Sequence, residues 1–196
     1  FLVASPFLTT DFAMPLDGPN TGAPAFADLD GVGGVDIVVN GAHKIYAFDA
    51  SGNPLAGWGG IPIPSTPPCM GSPPSVVDTS PVVTNPVTGN VLTTAIDDGC
   101  GNDAHVYVWQ YDGMPLATYD FVGRGHVAIA PAIADIDGDD VPDAVIAATA
   151  TDLSSAALYL INMASLPYVQ LPPAPIVVVP GAAFESEPVI ADLDAD

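Results

Sequence analysis

The sequence predicts an all-β fold that is built from repeats. Its 22 prolines and 19 glycines are spread along 196 residues, and no window sustains the periodicity of a helix. Apolar runs of strand length lie between these turn residues instead. A proline followed by three mostly apolar residues and then Asp or Asn recurs at positions 24, 81, 131 and 188, at spacings of 57, 50 and 57 residues. Such a period is typical of repeats that cannot bury their apolar face alone.

Each of the first three repeats continues with the same predicted elements. A strand leads through a polar turn to a second strand, and a third strand with a central tyrosine is followed by a tight turn and an outer strand. The predicted third and outer strands are 44–49 and 55–58, 106–111 and 115–118, and 157–162 and 168–170. Four-stranded units are therefore expected at 24–60, 81–122 and 131–172, with proline-rich connectors at 61–80 and 171–180.

These units divide the whole chain. Residues 1–23 are interpreted as the remainder of a blade, because 1–4 resemble the strand that follows the polar turn of other repeats; a chance likeness between short apolar segments is the alternative. The repeats then occupy 24–80, 81–130 and 131–187, and a further one starts at 188–196. The chain is thus expected to begin and end within one interrupted repeat.

The turn of the third repeat carries the clearest chemical signal. Asp135, Asp137, Asp139 and Asp143 occupy positions 1, 3, 5 and 9 of the loop between two predicted strands. Four carboxylates so close together oppose folding unless a cation neutralises them, and hard oxygen ligands suit calcium. The backbone carbonyl of Val141, at position 7, would add a neutral ligand. A solvated acidic turn without an ion is the alternative interpretation.

The other repeats keep parts of this pattern. Asn85 begins a plain turn in the second repeat, for which we expect no metal. The first repeat has Val32 at position 5, so a weaker calcium site is expected there. The aspartates in question are Asp28, Asp30 and Asp36 in the first repeat, and Asp192, Asp194 and Asp196 in the incomplete fourth.

The Asp-x-Asp-Gly-Asp-x-x-x-Asp loop, with the Pro-Ala-Ile-Ala that precedes it, resembles the FG-GAP/VCBS repeats of integrin-type β-propellers. The resemblance implies a β-propeller-like array of four-stranded blades, with calcium in the hairpin loop between the first two strands of a blade. About three whole blades and a partial fourth would be present. The sequence departs from the family pattern at Asp140, which stands where glycine is usual; aspartate tolerates the left-handed conformation better than most residues.

Composition narrows the range of partners and cellular settings. Only two basic residues stand against 23 acidic ones, for a net charge of −21, so binding to nucleic acid or to an anionic membrane surface is disfavoured. No apolar run reaches the 18 residues that suggest a membrane span. The charge fits an extracellular or high-salt setting.

Two cysteines, Cys69 and Cys100, are present. They lie in loops that would emerge on the same face of neighbouring blades, so a disulfide between them is expected; buried or free thiols are the alternative.

No residue pattern indicates catalysis. His105 lies two residues after Asp103, yet nothing in the sequence positions a nucleophile, and isolated histidines are more often structural. Trp58 and Trp109 could stack on sugars, but their place in the apolar pattern favours the core. We expect a non-enzymatic structural or adhesive surface module, or alternatively the non-catalytic propeller of a secreted enzyme or carbohydrate-binding protein.

Open sheet edges recruit partners. Three whole units and part of a fourth would leave such edges at both ends. The sequence therefore predicts either a longer natural chain or a protein partner, including self-association in which copies join head to tail into a filament. A glycan partner is a further hypothesis, because the stretch rich in Pro, Ser and Thr at 62–81 offers sites for O-linked sugar.

Overall fold

A computed structural model describes residues 16–18, 22–64, 81–84, 89–96, 104–120, 130–149, 154–164, 169–171, 177–181, 183–184 and 188–191. Over these residues the protein is all-β and contains three antiparallel sheets. No helix long and apolar enough to cross a membrane occurs in this part of the chain.

The first sheet has four strands in sequence order. They are β1 (Ala25–Ala27), β2 (Asp36–Asn40), β3 (Lys44–Phe48) and β4 (Ile61–Pro62).

The second sheet repeats this meander. Its strands are β5 (Val82–Val83), β6 (Val91–Ile96), β7 (Ala104–Trp109) and β8 (Pro115–Asp120).

The third sheet has the same meander and one additional strand. Its strands are β9 (Ala132–Ala134), β10 (Asp143–Thr149), β11 (Ser155–Asn162), β12 (Val169–Leu171) and β13 (Val177–Pro180).

The second sheet is packed between the other two. Val91, Tyr107 and Trp109 belong to one buried cluster with residues of the first sheet. The neighbouring Leu92 and Val108 belong to another with residues of the third sheet. Successive side chains of a strand point to opposite faces, so the mostly apolar β6 and β7 can serve both clusters.

Polar contacts reinforce the packing of the first sheet on the second. The Asn40 amide donates a buried hydrogen bond of 2.7 Å to Thr93 Oγ1. The indole N–H of Trp58 donates to the carbonyl of Tyr111 at 2.8 Å. Trp58 and Trp109 are both buried, which confirms the prediction that they are core residues.

One predicted strand was wrong. The outer strand of the first sheet is β4 and not 55–58, because Leu55 N–H bonds to Ala47 O and Trp58 N–H then bonds to Leu55 O. This turn places the Trp58 ring in the core, and the outer strand that pairs with β3 follows at Ile61–Pro62.

The connector predicted at 171–180 contains β13, which gives the third sheet a fifth strand. β12 pairs with Leu160–Asn162, at one end of the eight-residue β11, whereas β13 pairs with Ser155–Leu158. The three sheets do not close into a ring within the part of the chain that the structure describes.

Candidate metal centre

Two acidic loops occupy the same place in two sheets. The first loop (residues 28–36) joins β1 to β2, and the third loop (residues 135–143) joins β9 to β10. In each, the aspartate at position 9 pairs across the hairpin with the residue just before position 1, Ala27 with Asp36 and Ala134 with Asp143. The antiparallel register therefore holds positions 1 and 9 side by side.

The two loops also share their backbone conformation. Position 4 is a glycine with positive φ in both, Gly31 at 69° and Gly138 at 78°. Position 6 is left-handed as well, Gly33 at 82° and Asp140 at 66°. Asp140 is thus the non-glycine residue that was expected to adopt this conformation, and that prediction is confirmed.

Matching hydrogen bonds close both loops. The N–H at position 2 donates to the carboxylate at position 9: Leu29 to Asp36 Oδ2 at 2.7 Å and Ile136 to Asp143 Oδ2 at 3.0 Å. The N–H at position 6 donates to the carboxylate at position 1, from Gly33 to Asp28 Oδ2 at 3.3 Å in the first loop and from Asp140 to Asp135 Oδ2 at 2.9 Å in the third. The loop backbone therefore orients the carboxylates at both of these positions.

Three carboxylates converge in each loop. One oxygen from each member of a trio lies within 4.8 Å of the others. Calcium binds oxygen at about 2.3–2.6 Å, so oxygens on opposite sides of one ion are about 5 Å apart. The trios are Asp28, Asp30 and Asp36 in the first loop, and Asp135, Asp137 and Asp143 in the third.

Each trio contains a buried carboxylate oxygen that suits a positively charged ligand. Asp143 is 1 % exposed, and its Oδ1 atom is buried without a hydrogen-bond donor, as is Oδ1 of Asp28. Burying an unpaired carboxylate oxygen is costly unless a cation or a donor compensates for it. The residues therefore fit a cation that is coordinated by oxygen.

Electrostatics support the same conclusion. Burial raises the pKa of Asp143 above its ordinary value, the charges of Asp137 and Asp139 add to this rise, and hydrogen bonds from backbone N–H groups oppose it. Burial likewise raises the pKa of Asp36. Without a cation, Asp143 and Asp36 therefore resist the ionised form in which a carboxylate binds a metal ion.

The third loop does not bring all of its predicted ligands together. Asp139 is not a member of the trio, and its Oδ1 accepts the N–H of Val141 at 2.9 Å. Ligation by Asp139 and by the carbonyl of Val141 stays a prediction. In the first loop Val32 occupies position 5 and is 81 % exposed, so no carboxylate is available there.

Sequence reasoning missed one residue beside each trio. The Asn162 amide donates to Asp137 Oδ2 at 2.6 Å. The corresponding residue of the first sheet is Asp49, which lines an open cavity of about 250 Å³ with Asp30 and Asp36. A shared spacing in the sequence could have identified both residues, because each stands three positions after the tyrosine of the third strand.

Several predicted residues cannot be compared with the structure. The proposed disulfide and the incomplete fourth loop lie outside the described residues, as does the start of the second loop at Asn85. The residues of the first two features are Cys69, Cys100, Asp192, Asp194 and Asp196.

No family model matches the chain, and no curated protein matches it. Among solved structures, the chain is similar to the V. cholerae biofilm matrix protein Bap1, with 24 % identity over 69 % of this chain and a TM-score of 0.32. The chain spans about a quarter of that protein, 26 % of its length.

Proposed function

We propose that this chain is a calcium-stabilised, non-enzymatic β-repeat module of the FG-GAP/VCBS type that acts in adhesion or scaffolding outside the cell. The observation that carries the proposal is the matched pair of loops, each with three converging carboxylates and a buried oxygen that lacks a donor. The extracellular setting is supported by the net charge of −21, which remains after two basic residues are set against 23 acidic ones.

Calcium is favoured over other cations by the donor set. Both trios offer only oxygen, whereas zinc and other softer metals favour histidine and cysteine. The loops are irregular and partly exposed, which calcium tolerates better than magnesium, because magnesium demands near-octahedral geometry and dehydrates reluctantly.

Calorimetric titration of the chelator-treated protein with calcium tests this proposal. Binding at the first and third loops should raise the melting temperature, because a ligand at 100 times its Kd stabilises a fold by about 2.7 kcal/mol per site. For a chain of this size that is roughly 5–10 °C per site. A melting temperature that is the same in calcium and in excess chelator would contradict the proposal, and magnesium at equal concentration is the control.

Self-association is a separate part of the proposal. Residues 188–191 repeat the proline-led opening that forms β1 and β9 in the first and third sheets, yet they lie outside the strands that the structure describes, and Val189 is 89 % exposed. A partner strand, from a longer chain or from a second copy, would pair with this segment. Light scattering with and without calcium tests the second source: a calcium-saturated monomer at high concentration would exclude joining between copies.

A further inference from the structure

A side chain from outside the third loop holds one of its carboxylates. The Nδ2 atom of Asn162 donates to Asp137 Oδ2 at 2.6 Å, across 25 residues of sequence. Its Oδ1 atom accepts the N–H of Ala164 at 2.9 Å. Both ends of the amide are thus engaged, so the side chain is fixed in one orientation.

Sheet register explains why Asn162 reaches the loop. Ala144 pairs with Ile161, so Asn162 ends β11 beside Asp143, the buried aspartate at position 9. The oxygen of Asp143 that lacks a donor belongs to the same trio as Asp137. Asn162 therefore lies at the edge of the site that the buried oxygen marks.

We propose that Asn162 is a positioning residue of the third-loop cation site. It does not bind the ion; it fixes Asp137 through Oδ2 and leaves the other oxygen of that carboxylate for the cation. The inference rests on the proposed function, because it assigns a residue to the same calcium site.

The amide suits this role for two reasons. A hydrogen bond to a carboxylate is short and strong, and outer groups that orient a ligand commonly change metal affinity by 10- to 100-fold. The amide is also neutral, so it adds no charge to a loop that already holds Asp135, Asp137, Asp139 and Asp143.

In the first sheet, the position that corresponds to Asn162 is occupied by Asp49, which has no amide. Asp49 has no donor to offer, and its carboxylate instead accepts hydrogen bonds from its own turn, from Ser51 N–H at 2.8 Å and from the Asn53 amide at 3.0 Å. Asn162 is thus distinguished by its donor, and the experiment removes that donor.

The experiment isolates the third loop by placing every variant in an Asp28→Asn background, which disables the first loop. Asn162→Ala removes both hydrogen bonds of the amide. Asn162→Ser keeps an oxygen that accepts the Ala164 N–H but is too short to reach Asp137. Asn53→Ala is the matched control, since it removes an asparagine that donates to an aspartate of the other sheet.

The calcium Kd is measured by calorimetry, and the melting temperature is measured in chelator. We expect Asn162→Ala and Asn162→Ser each to weaken calcium binding about tenfold. Asn53→Ala should leave the Kd unchanged, and the chelator melting temperature of Asn162→Ser should stay near that of the background.

A purely structural role predicts a different pattern. In that case Asn162→Ser would restore the background Kd, and the loss in Asn162→Ala would appear in the chelator melting temperature. Equal calcium affinity in the background and both Asn162 variants overturns the inference while leaving the proposed function in place. Calcium binding is also compared between the unmodified chain and the Asp28→Asn background. If the background protein binds no calcium, the third-loop site itself is overturned.

Discussion

The first and third acidic loops have the same backbone and different side chains. Both have left-handed residues at positions 4 and 6, and both donate the N–H of position 2 to the aspartate of position 9. Yet position 5 is Val32 in one and Asp139 in the other. Hairpin register and backbone conformation therefore determine the shape of both loops, whereas the side chains determine how much negative charge each loop holds.

The charge of the residue beside each loop differs in the opposite direction from the number of carboxylates within the loop. The loop with fewer carboxylates has a charged neighbour, Asp49, while the loop with more has the neutral Asn162. Hydrogen bonds from the Asn53 side chain and backbone lower the pKa of Asp49, so this neighbour is ionised over a wide pH range. The number of acidic groups around the two sites is thus more even than the loop sequences suggest.

The largest effect is expected from removing the charge at position 9. Asp143→Asn keeps an oxygen for the Ile136 N–H but removes a calcium ligand, so the stabilisation by calcium at the third loop, about 2.7 kcal/mol at 100 times the Kd, should be lost. Calorimetric stoichiometry and thermal melting in calcium measure this loss. Asp36→Asn should do the same at the first loop.

In chelator, Asp143→Asn should cost much less, within about 1 kcal/mol. The variant removes the repulsion from neighbouring carboxylates, which offsets the cost of a buried amide without a partner. A variant that is as destabilised in chelator as in calcium would show that Asp143 stabilises the fold independently of calcium.

An intermediate effect is expected from equalising position 5. Val32→Asp adds a carboxylate to the first loop at an exposed site and should tighten its calcium binding by roughly tenfold, because ligand charge tunes the affinity of such loops. Titration in an Asp143→Asn background reports on the first loop alone. Unchanged affinity would mean that position 5 does not ligate the ion, and Val32→Asn separates charge from size.

The smallest effects concern position 6. Gly33→Ala should destabilise the protein by about 1 kcal/mol, because alanine is strained at φ 82° although its Cβ meets no atom within 4 Å. Asp140→Gly should change stability by less than about 1 kcal/mol, since relief of strain is offset by the greater flexibility of the unfolded chain. Urea unfolding in chelator measures both, and a loss beyond 2 kcal/mol for Asp140→Gly would show that the Asp140 side chain makes a needed contact.

The sequence by itself determined the repeat, the all-β class and the two loops in which aspartates converge. These features depend on local chemistry: strand-length apolar runs, turn residues and carboxylates at alternating positions of one loop. The left-handed Asp140 was also predictable, because conformation at a single residue follows from its own side chain and from the spacing of the loop.

Tertiary structure decided which edges pair and which distant side chains meet. β13 joins the third sheet because β11 is eight residues long and β12 covers only one end of it, which no inspection of 177–180 alone reveals. Asn162 reaches Asp137 because the register of β10 on β11 places the end of one strand beside the loop of another. Pairing of this kind depends on the length and register of a partner strand, and those are properties of the sheet and not of the segment.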